Sequence, residues 1–279
     1  MLERLIGCEP IKKQIDSIIA QFELSRSSSN LDTPCIHMRF VGNPGTGKTT
    51  VARIIGKIFK ERGILRIGDF YEYQARDFCG QYVGHTAPRT SRICREAYGS
   101  VLFIDEAYSL YHSESNDRDF GKEVLDTLIA EMENHRSDFV VIMAGYTDDM
   151  EKLLKGNAGL ASRMPYTINF PNFNREELYK IFVLLLGNKF DYTDDFLPAV
   201  KEYFNQLPDS LINAKEFSNG RYVRNLFERT WSKAAIRVQL EKGKKIVLTK
   251  EDFLKATFDH EFNLNAPASA KSKKIGFLG

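Results

Sequence analysis

Apolar residues along this chain recur in two rhythms. After Pro10, the residues Ile11, Ile15, Ile18, Ile19 and Phe22 fall three or four apart, the spacing of one face of a proline-opened helix. The polar stretch Ser25 to Thr33 then predicts an exposed loop. Ile36, Met38, Phe40 and Val41 read as a buried strand, and Val51, Ile54, Ile55, Ile58 and Phe59 return to helical spacing. Next come a strand near Phe70 to Gln74, a helix opened by Pro88, and an apolar strand, Val101 to Ile104, that ends in Asp105 and Glu106. A helix built on Val124, Leu125, Leu128, Ile129 and Met132 leads to strands at Phe139 to Ala144 and near Tyr166 to Phe170. Five strands alternating with helices predict an α/β unit, a parallel sheet covered by helices on both faces.

After Pro171 the strand rhythm stops. Asn174 and Glu177 have the spacing of a capping box that opens a helix through Leu186. Helices near Asp194 to Gln206 and Tyr222 to Leu240 follow, with Thr249 and Asp252 capping a last short one. The expected organisation is an α/β domain over residues 1–171, a small mainly helical domain over 172–264, and a tail over 265–279 whose core-forming residues wait until Ile275 and Phe277.

Candidate chemistry sits where the first buried strand hands over to its helix. Gly42 to Thr49 read GNPGTGKT, the complete phosphate-loop pattern, in the strand, loop, helix order that the motif demands. The glycines let successive backbone N–H groups point at phosphate oxygens, and the helix N-terminus adds partial positive charge. Asn43, Pro44, Gly45, Thr46, Gly47, Lys48, Thr49 and Thr50 would line the nucleotide site. Lys48 supplies a mobile ammonium for the γ-phosphate, and the Thr49 hydroxyl is a hard oxygen suited to Mg2+. Asp105 and Glu106 complement this loop: a buried parallel strand would deliver both acids to the carboxyl edge of the sheet. There Asp105 would hold Mg2+ through water, and Glu106 would polarise an attacking water. ATP hydrolysis is the chemistry these parts predict.

Composition narrows the setting. The chain carries 43% hydrophobic residues over 279 positions, enough for two modest cores. It has no uninterrupted apolar run of about 18 residues, and MLERLIG lacks the apolar stretch of a signal peptide, so no membrane insertion and a cytoplasmic location are expected. Cys8, Cys35, Cys79 and Cys94 show neither CxxC pairing nor histidines at ligand spacing, which predicts thiols and no metal cluster. With a net charge of only +2, and basic residues interspersed among acidic ones, nucleic acid is not the expected partner.

Taken in order, these motifs resemble the AAA+ ATPases, and within them the CbxX/CfqX group of red-type Rubisco activases and stage V sporulation protein K. The likeness runs from Leu5-Ile6-Gly7, similar to the segment that lines the adenine pocket with Ile6 and Gly7, to the terminal Ile-Gly-Phe. It implies that the helical domain is an AAA+ lid. Asp77 to Gly84 resembles a first pore loop, which would place Tyr82 and Val83 in the central channel of a ring; the other reading of Tyr82 is an aromatic lying on the sheet edge. Tyr111 to Asp119 is a weaker resemblance to a second pore loop. Arg163 is similar to the arginine finger that reaches the γ-phosphate of the next subunit, although Ala158 stands where the group usually has proline. Gly220 to Asn225 resembles the sensor 2 segment, with Arg221 the favoured contact to nucleotide and Arg224 one turn away. Sensor 1 falls on Tyr146 or Thr147.

The resemblance thus implies a homo-oligomer, a hexameric ring, that uses ATP and Mg2+ to remodel a protein client. Two other classes of function fit a phosphate loop: a nucleic-acid motor or clamp loader, whose binding would fall steeply with salt, and an ATP-gated assembly switch with little turnover.

Overall fold

The computed structural model describes residues 5–28, 30–80, 82, 84–111, 120–240 and 245–264. It divides into two compact units, Met1–Pro171 and Asn172–Gly279. The first contains α1 (Glu9–Ser27), β1 (Met38–Gly42), α2 (Lys48–Glu61), β2 (Phe70–Gln74), α3 (Thr86–Glu96) and β3 (Val101–Asp105). It continues through α4 (Phe120–Asn134), β4 (Val140–Gly145), α5 (Thr147–Gly156), α6 (Ala158–Arg163) and β5 (Tyr166–Phe170). Its five strands form one parallel sheet in the order β2-β3-β4-β1-β5.

Side chains alternate across a strand, and here both faces are buried. Met38, Phe40, Phe103 and Ile142 pack with Ile15, Ile55 and Phe59 of α1 and α2. Val41, Leu102, Ile104, Val141 and Met143 pack on the other face with Ile93, Leu128 and Leu153 of α3, α4 and α5. That double burial explains why β3 and β4 are apolar at nearly every position. His37, directly before β1, is a polar residue that is fully buried. Its Nδ1 accepts from Val141 N–H at 3.0 Å while Nε2 faces the Met132 carbonyl at 3.3 Å. Burial pushes its pKa down to about 4.

Three local expectations shift. Helix α1 runs through Ser25, Arg26 and Ser27, because the Ser25 and Ser27 hydroxyls donate back to the Phe22 and Leu24 carbonyls at 2.8 and 2.9 Å and complete its last turn. Helix α3 starts two residues before Pro88, which occupies a first-turn position whose N–H has no intrahelical partner anyway. Between β4 and β5 lie two short helices, α5 and α6, that periodicity did not predict.

The second unit holds α7 (Arg175–Leu186), β6 (Asp191–Tyr192), α8 (Phe196–Asn205), α9 (Asp209–Ile212), α10 (Gly220–Leu240), β7 (Val247–Leu248) and α11 (Lys250–Thr257). The capping boxes at Asn174/Glu177 and Thr249/Asp252 both form. Phe182 is the hub of the core, edge-on to Phe204, Phe227 and Phe253. A parallel pairing of β6 with β7, two residues each, was not legible in the sequence. No helix among the described residues is long and apolar enough to cross a membrane, and none of the four cysteines is in a disulfide. The tail 265–279 lies outside the described residues.

Candidate active site

The phosphate loop leaves β1 at Gly42, where only glycine fits: a Cβ there would stand 2.3 Å from the Phe170 carbonyl oxygen of β5. Gly45 and Gly47 adopt φ of 70° and 95°, the left-handed region that side chains resist. Thr46, buried, donates its hydroxyl to the Asn43 carbonyl at 2.8 Å and pins the loop. Lys48 Nζ donates to the Gly42 and Asn43 carbonyls, both at 2.8 Å, so its ammonium lies across the loop. Helix α2 opens at Lys48 with no acidic residue in its first turn, leaving its dipole uncompensated, and a Cβ on Gly47 would meet nothing within 4 Å. Open space at Gly47 and an unneutralised helix N-terminus suit a polyphosphate.

Strand order brings three carboxyl edges side by side. β3 pairs with β4, Ile104 opposite Met143, and β4 with β1, Gly145 opposite Val41. Asp105, Glu106 and the Tyr146-Thr147 step therefore emerge on the same edge of the sheet as the phosphate loop. Glu106 sits at φ 51°, a left-handed conformation costing about 1 kcal/mol or more in a residue with a side chain. A short 3-10 turn over Ala107–Leu110 holds it: the Glu106 carbonyl accepts from Ser109 N–H at 3.0 Å and Ser109 Oγ at 2.8 Å, and the Glu106 N–H donates to Asp105 Oδ1 at 3.0 Å. The Glu106 side chain stays exposed. Thr49 and Asp105 supply a hydroxyl and a carboxylate, a donor set that suits Mg2+ when phosphate oxygens and water complete its shell. Among the described residues there is no cluster of three acidic, His or Cys ligands, as a dedicated protein-only metal cage would need.

Sequence reasoning missed Tyr108. Its ring lies 5.9 Å from that of Tyr146 at 47°, and it occupies the space above Gly145, where a Cβ would meet Tyr108 Cδ1 at 2.8 Å. Burial, and then the negative charge of Glu106, push the Tyr108 phenol up to about 12. The only sequence signal is an aromatic two residues beyond the paired acids.

Arg163 stands elsewhere. It ends α6, which Asn157 caps by accepting from Leu160 N–H at 2.9 Å. Its Nε is 3.0 Å from Glu133 Oε2 but off the N–H direction, and Nη1 donates to the Gly159 carbonyl at 3.1 Å. Cys35, whose pKa burial raises, donates its thiol to the Arg163 carbonyl at 3.1 Å. Arg163 and Cys35 precede β5 and β1, which pair Met38 with Tyr166 and Gly42 with Phe170, so both lie at the amino edge of the sheet. The phosphate loop is at the carboxyl edge, four strand steps or about 13 Å farther along.

Tyr82 is 67% exposed in the loop that follows the Ala75–Phe78 turn. Its carbonyl accepts from His85 N–H at 3.1 Å, and the two rings meet edge-on at 5.5 Å. Gly80 is needed behind it, since a Cβ would approach His85 and Thr86 within 2.8 Å. Val83 and residues 112–119 of the second pore-loop candidate lie outside the described residues. Gly7 turns with φ 72° ahead of α1, and the Ile6 carbonyl accepts from the Cys8 thiol at 3.4 Å. In the second unit Arg221 and Arg224 are both exposed on the first turns of α10.

Residues 38–172 match the family described as ATPase family associated with various cellular activities, and residues 174–263 match its lid domain. A chloroplastic ribulose bisphosphate carboxylase/oxygenase activase of Cyanidioschyzon merolae is 42% identical over 239 residues, spanning 84% of this chain and 76% of that protein. Protein CbbX of Cereibacter sphaeroides is 39% identical over 84% of this chain and 76% of its own length. Stage V sporulation protein K of Bacillus subtilis is 37% identical over 85% and 74%. Among solved structures, the FIGL-1 AAA domain in complex with ADP superposes with a TM-score of 0.67 at 18% identity, over 96% of this chain and 86% of that one, a likeness of fold.

Proposed function

Since the chain belongs to the AAA ATPases, in the group of CbxX and CfxQ, we propose that it is a Mg2+-dependent ring ATPase that remodels a protein client through a central pore. The observation that carries this reading is the split of the catalytic groups between the two edges of one sheet. The phosphate loop, Asp105 and Glu106 share the carboxyl edge, while Arg163 stands at the amino edge, out of reach of its own loop but available to a neighbour's.

Each part then has a task. The loop amides from Gly45 to Thr49, with Thr50 behind them, cradle the triphosphate, while Ile6 and Gly7 line the adenine. Lys48 exchanges its two carbonyl partners for phosphate oxygens. A Mg2+ held by Thr49 and Asp105 would neutralise charge on the β- and γ-phosphates. Glu106 accepts a hydrogen bond from the attacking water, and its braced left-handed backbone fixes the carboxylate's direction. The Tyr146 or Thr147 hydroxyl steadies that water or the γ-phosphate. Arg163 of the adjacent subunit stabilises charge in the transition state, and Arg221, or Arg224 beside it, reads the γ-phosphate from the lid. Loss of that phosphate removes the differential contacts of both arginines, which biases the lid and the subunit interface to a new arrangement. Tyr82 and Val83 grip an extended client by its apolar side chains. Two relatives bear the name of ribulose bisphosphate carboxylase/oxygenase activase, so that carboxylase is the first client to test.

A mixing experiment decides the shared site. Glu106→Gln and Arg163→Ala should each lose turnover by at least about 100-fold while still binding ATP. Mixed in equal amounts, they should regain part of the activity, because an intact Glu106 then meets an intact Arg163 at some interfaces. Two inactive variants that stay inactive on mixing, despite forming mixed oligomers, would refute a site built from two subunits.

A further inference from the structure

Asn219 is fully buried, has φ 47°, and directly precedes Gly220, the first residue of α10. Asparagine tolerates this left-handed conformation better than most residues with a side chain, but glycine would tolerate it at no cost. What asparagine adds is a buried amide with polar groups on both ends. Its Oδ1 accepts from the Phe173 N–H at 2.9 Å. Its Nδ2 donates to Asn172 Oδ1 at 3.0 Å and to the Phe217 carbonyl at 2.9 Å. Asn172 in turn donates to the Ile212 carbonyl at 2.8 Å. On the other side, the Asn219 carbonyl accepts from Val223 N–H at 3.2 Å and so begins the helix ladder. The neighbouring Tyr222 is locked by its hydroxyl to Tyr203, whose own hydroxyl donates to the Phe262 carbonyl at 2.8 Å.

One side chain therefore joins the residues by which the chain enters its second unit to the turn that presents Arg221. We propose that Asn219 is a positioning residue for nucleotide sensing: it clamps Asn172 and Phe173 to the first turn of α10, so that a displacement of Arg221 or Arg224 is passed to the entry segment as a rigid body. The proposal rests on the reading of those arginines as the lid's nucleotide contacts. Without the clamp, the 213–218 loop would absorb the displacement. An aspartate at 219 would keep the acceptor for Phe173 but lose both donations and bury a charge.

The test uses the full chain and compares Asn219→Gly, which keeps the backbone conformation and deletes the amide, with the same change in an Arg221→Ala/Arg224→Ala background. Trp231, the only tryptophan, reports by its fluorescence whether the lid unit is folded. Asn219→Gly alone should lower kcat/KM for ATP by about tenfold. It should produce no further loss in the background without the arginines, and hydrogen exchange at Phe173 should no longer respond to nucleotide. Losses that multiply in the two backgrounds would make Asn219 merely structural and overturn the proposal. Should removal of both arginines leave kcat/KM at the wild-type value, the sensing role of α10 fails first, and the clamp fails with it. If Asn219→Gly does not fold, Asn172→Ala, which removes one partner at a half-exposed position, gives the same comparison.

Discussion

Glu106 and His37 show two ways in which a single residue is held against its intrinsic preference. Glu106 pays for its left-handed backbone through the Ser109 bonds and the Asp105 contact. Tyr108, wedged over Gly145, ties that turn to the step at Tyr146, so Gly145→Ala should push the ring away. The expected result is a fall in kcat of about tenfold or more with ATP affinity nearly kept, measured by steady-state turnover beside nucleotide titration. His37 bears on stability. Its pKa is near 6.5 in the unfolded chain and about 4 in the fold, so between those values the unfolded chain binds a proton that the fold excludes. Stability from this residue is complete above about pH 6.5 and declines as pH falls toward 4, by about 3 kcal/mol in all. Urea midpoints at several pH values should show that slope, and His37→Gln should flatten it.

At the scale of elements, helix ends and one buried ion pair organise the lid. Burial alone would raise the Asp252 pKa, yet the hydrogen bonds from Arg237 and Thr249 outweigh it and hold the carboxyl below its ordinary value. Arg237 meets Asp252 through Nε at 3.0 Å and Nη2 at 2.9 Å, and also donates to the Val247 carbonyl at 2.8 Å. This one contact joins α10, the β7 strand and the cap of α11. Asp252→Ala should destabilise the second unit by about 3 kcal/mol, because it leaves a half-buried guanidinium without its counter-charge and α11 without its capping box. Asn174→Ala, which removes only the α7 cap, should cost about 1 kcal/mol. Both can be read from Trp231 fluorescence in urea, and a larger effect at Asn174 than at Asp252 would contradict this ranking. The Asp252 contribution is lost only as pH falls below about 3.8, beneath the His37 window, so the two pH dependences separate.

At the scale of the whole molecule, the proposed site shared between subunits would make activity a property of the assembly. Specific ATPase activity should rise steeply with protein concentration and then level off, and Arg163→Ala should remove most of that rise. A constant specific activity on dilution to dispersed monomers would contradict the shared site. Tyr82→Ala is expected to abolish client remodelling, which can be followed as recovery of an inhibited carboxylase in the presence of ATP.

The sequence by itself determined what depends on neighbours in the chain: the phosphate loop, whose chemistry needs consecutive residues, the apolar strand with its two terminal acids, and the capping box at Asn174. The α/β class followed as well, because double burial leaves apolar runs that even a single strand displays. What only the tertiary structure decided depends on pairings between distant residues. The registers of β1 with β4 and β5 put Arg163 on the far edge, and the two-residue pairing of β6 with β7 is too short to leave a periodic trace. Tyr108 over Gly145 and Asn219 against Phe173 are contacts that form only once the chain has closed on itself. Local periodicity encodes conformation and burial; loop closure and packing choose which buried residue meets which.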